Sequence, residues 1–354
     1  MTEDEISALK YSKKRIEKFQ NFLLKRLKFR WHDREKSVKV TNLALPISST
    51  GCYVPGGYSP YPSSLLMTVV PAKVAKVPRI VVCSPPMSNY QLDPILLVAS
   101  DICGVDEIYK IGGAHAIAAM AYGTESLKSV NKIVGAGNKY VTTSKILVSK
   151  DIAVDMPAGP SEILILADDS ANPHFITLDL LSQAEHSPES VCGLVTTSKG
   201  LADQVIIDLE KMKTKMARPE IVTKALDKSG FVIICDSMDE AVDFVNDFAP
   251  EHLEIVTKKL GMIKKKIRSA GMIFLGSYSP VSAGDYCTGT NHILPTGGSA
   301  KVYSNLSVID FVKTVNAVQC SRGGLSKMMK PISILARREG LINHALAVEG
   351  RFKE

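Results

Sequence analysis

The strongest constraint on the fold is an alternation. Short apolar runs rich in Val and Ile take turns with helical stretches, and they do so twice along the chain. The first series places strands at 79–83, 107–111 and 132–134, with helices at 63–74, 94–103, 114–122 and 140–148. The second places strands at 162–167, 191–197, 231–235, 253–257 and 272–275. Its helices are a segment from near Pro173 through Ser187, then 202–216 and 239–248. Apolar runs this short read as strands buried on both faces, and strand–helix–strand units build parallel sheets. The expected fold is therefore α/β, with two Rossmann-like parallel-sheet lobes. Pro157, Gly159 and Pro160 make the join near residue 160 loop-like. With 354 residues, 45% of them hydrophobic, the chain can bury a core of that size.

The two ends break the alternation. Residues 5–31 read as one amphipathic helix, with Leu9, Ile16, Phe19, Leu23 and Leu27 near one face. Between Lys10 and Arg30 there are nine Lys or Arg and one acid, Glu17. Such a face can meet an anionic surface, or simply be solvated while the helix packs on the protein. An extended piece follows at 38–45. From about residue 306 to 352 the pattern reads as mostly helical, with no sheet of its own to cover.

The net charge of +7 owes much to that first helix, so a nucleic-acid enzyme is not indicated. No apolar run approaches the roughly 18 residues of a membrane span, and the acidic start Met1-Thr2-Glu3-Asp4-Glu5 is not a signal peptide. Seven cysteines at wide spacings, none in a C-x-x-C pair, read as free thiols in a reducing cytoplasm.

Several stretches can carry chemistry. In Leu180–Ser187, Gln183 and His186 are three apart and would share a helix face, where an amide oxygen and an imidazole can hold a metal or a polar substrate. Equally, a histidine suits the negative end of any helix. Glu251 and His252 follow Pro250 at a strand entrance, and an adjacent carboxylate and imidazole can divide acid/base work; they can also be a surface polar pair. The stretch Gly284–His292 is dense in polar and small residues. There Asp285 can supply an oxygen ligand or a turn cap, and His292 a donor to substrate. Gln183, His186, Asp285 and one later histidine would make two nitrogen and two oxygen donors, a set that suits zinc. In the tail, Glu339 and His344 are five apart and do not share a helix face well. The glycine-rich stretches Gly51–Tyr58, Gly112-Gly113 and Gly135-Ala136-Gly137-Asn138 can admit a ligand to the backbone or only shape turns. Gly135-Ala136-Gly137 holds only the first half of a dinucleotide fingerprint.

Taken in order, the motifs GCYVPGG, IGGAHAIAAMAYGTE, KIVGAGNKYVT, DMPAGPSEILILAD, LLSQAEHSP, APEHLEI, AGDYCTGTNHILPT and EGLINHALAV resemble the histidinol dehydrogenase family over residues 51–352. The resemblance implies a zinc- and NAD-dependent enzyme that oxidises L-histidinol to L-histidine in two steps. By position, Gln183, His186, Asp285 and His344 match the zinc ligands, and these together with His252 would also meet the substrate. Glu251 and His252 match the catalytic pair. Ser161, His292 and Glu339 match substrate contacts, and Tyr53 and Asn138 match NAD contacts. It further implies a cytoplasmic homodimer with shared sites, in which the tail carries His344 into the partner.

Two departures stand out. His115 occupies an NAD-contact position where the family has glutamine, and the region before GCYVPGG is shorter than in longer members. The resemblance divides the chain into an N-terminal basic helix (1–33), a zinc and catalytic lobe (34–53 plus 162–305), a lobe contributing to NAD binding (54–161) and a dimerisation tail (306–354). A dehydrogenase for another polyol, a zinc hydrolase and a non-catalytic relative are the other readings; the full set of ligands and bases argues against the last.

Overall fold

A computed structural model describes residues 1–33, 35, 37–56 and 59–353. Gly57 and Tyr58, part of the expected glycine turn after Pro55, lie outside the described residues.

The chain opens with helix α1 (Glu3–Leu27). Thr2 and Glu5 form a capping box at its start, and three acidic residues occupy its first turn. The helix stops short of the expected 31. Strand β1 (Phe29–Asp33) pairs antiparallel with β2 (Val38–Pro46), and the Asn42 side chain of β2 donates to the last helical carbonyl, Leu27 O, at 2.6 Å. Aromatic Phe29 and Trp31 thus find strand partners that no local pattern announces.

The first parallel sheet is built from β3 (Ser49–Tyr53), β4 (Arg79–Cys83), β5 (Glu107–Tyr109), β6 (Lys132–Val134) and β7 (Ala153–Val154). Its order is β5-β4-β3-β6-β7. Helices α2 (Pro62–Ala75), α3 (Pro94–Cys103), α4 (Gly113–Tyr122) and α5 (Lys139–Val148) connect its strands. The fully buried β3 is its central strand, so residues 49–53 pair into this sheet and not into the second, with which the division at 34–53 plus 162–305 grouped them.

The second sheet, β10-β9-β8-β11-β12, is also parallel. It uses β8 (Glu162–Ala167), β9 (Val191–Thr196), β10 (Gly230–Ile234), β11 (His252–Val256) and β12 (Met272–Leu275). Its helices are α6 (Pro173–Ala184), α7 (Lys199–Met212), α8 (Pro219–Ser229), α9 (Met238–Phe248), α10 (Leu260–Lys266) and α11 (Val281–Tyr286). Two differences from the sequence reading matter. The expected helix 202–216 is α7, which stops at Met212, and a further helix the sequence reading did not place, α8, follows with Pro219 at its first turn. Helix α6 ends at Ala184, so Gln183 is helical but His186 lies just beyond the end and the two do not share a helix face.

The tail is not mostly helical at its start. β13 (Val312–Cys320) pairs antiparallel along β2, from Val312 opposite Pro46 to Cys320 opposite Val38, giving a third sheet of order β1-β2-β13. Val312, Thr314, Val315 and Val318 are strand formers. Helices α12 (Arg322–Arg338) and α13 (Ile342–Glu349) follow and pack on each other.

Strand direction places the chemistry. The carboxyl ends of β3, β5 and β6 carry Tyr53, Gly112-Gly113 and Gly135–Asn138. In the second sheet it is the amino edge that matters: His252 opens β11 and pairs with Ile163 near the start of β8. Helix α6 follows β8 and runs back to that same edge, where β9 starts with Val191 opposite Glu162, so Gln183 and His186 arrive beside it.

Candidate active site

At the amino edge two carboxylates lock β8 to β11. Glu251 Oε2 accepts from Glu162 N at 2.7 Å, and Glu162 Oε2 accepts from Glu251 N at 3.3 Å. Glu162 Oε1 accepts from Gly297 N at 2.9 Å. Burial raises the Glu162 carboxyl while these backbone donors hold it down. His252, 4% exposed, has Nδ1 2.9 Å from the Glu162 carbonyl and 3.4 Å from Glu251 Oε2. A carbonyl only accepts, so Nδ1 carries a hydrogen, and in the neutral imidazole Nε2 is the free nitrogen. Nε2 is buried without a hydrogen-bond partner among the described residues, 3.9 Å from Asp285 Oδ1. Burial disfavours the imidazolium, but Glu251, Asp285 and the Glu162 carbonyl together outweigh it and lift His252 to about 9.

Asp285 stands between two imidazoles, near the end of α11. Its carbonyl accepts from His292 Nδ1 at 3.0 Å, and its Oδ1 is 3.8 Å from that same nitrogen. His292 Nε2 lies 3.4 Å from Ser64 Oγ of α2. Burial lowers the His292 imidazole despite the neighbouring Asp285 carboxylate. Ser64 and Glu162 are the site residues the sequence did not offer: one reads as an ordinary first-turn helix serine and the other as an ordinary strand start, and both meet their partners only through long-range folding.

The end of α6 completes this edge. Gln183 is 2% exposed in the last turn of α6. His186 follows half-buried. Tyr286 ends α11; partial burial raises its phenol, and the Asp285 and Glu185 carboxylates raise it further. A buried glutamine, an imidazole and a carboxylate whose oxygen stands 3.8 and 3.9 Å from the neighbouring imidazole nitrogens offer donors that fit a divalent metal in chemistry. The fourth expected ligand does not join them. His344 on α13 and Glu339 at the end of α12 are exposed, and no group of three His, Cys, Asp or Glu among the described residues is placed to hold a metal within one chain.

The carboxyl edge of the first sheet holds the other expected contacts. Tyr53, buried at the end of β3, accepts from Gly113 N through its hydroxyl at 3.1 Å. Asn138 Oδ1 caps α5, accepting from Tyr140 N at 3.1 Å and Val141 N at 3.2 Å. His115 is exposed on α4. Gly135 has φ +116°, and a Cβ there would run into the Tyr53 carbonyl. Its N–H donates to Asp155 Oδ2 at 2.7 Å and its carbonyl accepts from Lys145 Nζ at 2.9 Å, over a buried Lys145–Asp155 ion pair. The segment through Ser161 joins the two edges. The Thr142 hydroxyl donates to the Ala158 carbonyl, Gly159 N donates to the Thr296 hydroxyl, and the Ser161 carbonyl accepts from Val191 N.

The histidinol dehydrogenase family model matches residues 1–352. The chain is 46% identical to histidinol dehydrogenase of Methanothermobacter thermautotrophicus over 317 residues, 90% of this chain and 74% of that one. With the Methanococcus maripaludis histidinol dehydrogenase the identity is 45% over 347 residues, 98% of this chain and 81% of the other. The crystal structure of histidinol dehydrogenase from Elizabethkingia anophelis superposes with a TM-score of 0.94 at 38% identity, covering 99% of this chain and 81% of that one.

Proposed function

This chain belongs to the histidinol dehydrogenase family of oxidoreductases, and from that premise we propose that it oxidises L-histidinol through L-histidinal to L-histidine, with two NAD and a zinc ion in each site. Gln183, His186 and Asp285 would hold the zinc, with His344 of a second copy completing the set, and the ion would supply Lewis acidity to the substrate. Tyr53, His115 and Asn138 would hold NAD, which would supply the hydride acceptor for each oxidation. Ser161, His292 and Glu339, the last again from the second copy, hold the substrate.

The observation that carries this reading is the open His252 Nε2, buried and fixed by the Glu162 carbonyl behind it. In the neutral imidazole, which a cation bound at Asp285 would favour by offsetting the carboxylates that raise His252, that nitrogen takes the hydroxyl proton of the alcohol as its carbon loses hydride. The aldehyde stays bound and must add water before it can lose a second hydride. Glu251, held through Oε2 to Glu162 N, has Oε1 left to take a proton from that water. The seven cysteines are free thiols, which suits a reducing cytoplasm, and no described helix is long and apolar enough to cross a membrane.

The test is NADH formation by the zinc-loaded protein, with histidinol and histidinal assayed separately. Glu251→Gln is expected to slow the histidinal step about 10²–10⁴-fold and the histidinol step much less. His252→Asn should slow the histidinol step. No NADH from either substrate with the unaltered protein overturns the function; equal loss on both substrates in Glu251→Gln overturns the division of labour.

A further inference from the structure

We propose that the N-terminal helix clamps the segment between two site residues, and that Ser12 and Arg15 are positioning residues that set Asp285 and His292 in place. This rests on the reading above, in which Asp285 is a zinc ligand and His292 meets the substrate. No matched site residue lies within the basic helix, but its packing reaches the site. Ile16 is fully buried in the core that holds Leu65 and Leu66 of α2 together with Ile293, the residue after His292.

The contact with the site is made through backbone carbonyls. Helix α11 ends at Tyr286, and the last carbonyls of any helix have no partner within it. Here α1 supplies the donors. The buried Ser12 hydroxyl donates to the Tyr286 carbonyl. Arg15 Nε donates to Cys287 O at 3.1 Å, and Arg15 Nη2 donates to Thr288 O at 3.4 Å. Three successive carbonyls are thus taken by one helix face, and a cation stands where the α11 dipole is negative. The next residue, Gly289, has φ +92° and lies so close to α1 that a Cβ would come within 2.6 Å of the Arg15 carbonyl oxygen.

The far end of the segment is pinned as well. Asn291, fully buried, donates through Nδ2 to Met67 O of α2 at 2.6 Å and accepts from Ile293 N at 2.9 Å. Residues 286–291 are therefore fastened to α1 at one end and α2 at the other. Asp285 and His292 are the residues immediately outside that span, joined to each other by the 3.0 Å bond from His292 Nδ1 to Asp285 O. A change in how α1 holds the span alters the placement of a metal ligand and a substrate contact together. It leaves the carboxyl edge of the first sheet, with Tyr53 and Asn138, alone.

The test compares Ser12→Ala, Arg15→Ala, Arg15→Lys and the Ser12→Ala/Arg15→Ala double variant. Zinc affinity is measured by competition with a chromophoric chelator, beside the KM for histidinol, the KM for NAD and Tm. Groups that orient metal ligands are worth about 10–100-fold in metal affinity. The double variant is expected to lose about tenfold in zinc affinity and to raise the histidinol KM by a similar factor, with the NAD KM within about twofold. Arg15→Lys should recover part of the loss. Unchanged zinc affinity and histidinol KM overturn the proposal. So does a fall in NAD affinity and zinc affinity together that tracks Tm, which is the signature of a helix that only stabilises the fold. Should the double variant fail to fold, Arg15→Ala decides by the same readouts, because its exposed guanidinium leaves the core intact. Absence of NADH formation in the unaltered protein speaks against the proposed function alone, since chelator competition still reads the clamp.

Discussion

Glu254 lies two residues beyond His252 on the same face of β11, 3% exposed, and its carboxylate accepts from Val281 N at the start of α11 at 2.9 Å. It also hydrogen-bonds Asp179 of α6. Burial raises both carboxyls, Asp179 to about 6, and the neighbouring Asp179 charge pushes Glu254 further, to about 9. Near neutral pH the pair holds one proton, carried by Glu254 and donated to Asp179. It joins the helix that bears Gln183, the strand that bears His252 and the helix that bears Asp285. Glu254 keeps its proton in the folded protein well above its ordinary value of 4.5, so the folded state binds more protons than the unfolded one in between. This contribution to stability is full below about 4.5 and is lost as pH rises towards about 9. Glu254→Gln keeps an oxygen for Val281 N and a donor for Asp179 but cannot titrate. Urea unfolding at a series of pH values is therefore expected to show the unaltered protein losing stability between about pH 5 and 9 relative to a flatter variant. Parallel profiles would mean that the proton is not held there.

Among the elements, the turn between β6 and α5 has the least freedom. Gly135 combines φ +116° with a close approach to Tyr53, and its peptide is gripped on both sides by Asp155 and Lys145. Gly135→Ala has to move either Tyr53 or the turn, so the KM for NAD is expected to rise at least about tenfold and Tm to fall, while zinc content stays the same. A variant with unaltered NAD KM would remove this turn from the cofactor site. Elements of this kind were legible where the signal is local. Arg79–Cys83, Pro94–Cys103 and Glu162–Ala167 are compact apolar runs or a proline-started helix, and their bounds match the reading. What failed was non-local. β13 becomes a strand because β2, some 270 residues earlier, offers it an edge, and β1 escapes the first helix for the same reason. At the site, Glu251 and His252 announced themselves by adjacency and Gln183 and His186 by spacing, although α6 stops between those two. Ser64 and Glu162 carry no such mark, since only the folded chain brings them to His292 and Glu251.

The molecule as a single chain leaves one region uncovered. β13 is exposed along nearly its whole length, with Val315 and Val318 41% and 63% exposed. Leu335, Leu341, Ile342 and Leu346 are exposed on and between α12 and α13, helices that pack chiefly on each other. Exposed apolar residues gathered on the tail are the kind of surface an interface would cover. The same helices bear His344, and Glu339 lies between them, the two groups the proposed site needs and does not find within its own chain. In the proposed arrangement a second copy related by a two-fold axis would account for both facts, burying each tail as it delivers its histidine and glutamate to the other subunit. Zinc bridging two chains would then favour the dimer by mass action, so chelation should weaken it. The decisive measurement mixes His344→Ala subunits with His252→Ala subunits, each inactive alone. In a heterodimer the His344→Ala tail meets the His252→Ala site, which concentrates both defects in one site and leaves the other whole. With random exchange half of the molecules are heterodimers, and activity is expected to return to about a quarter of that of the unaltered protein. A mixture that stays inactive, with exchange demonstrated by differently tagged subunits, would show that each site is completed within one chain and would end the crossed-tail arrangement.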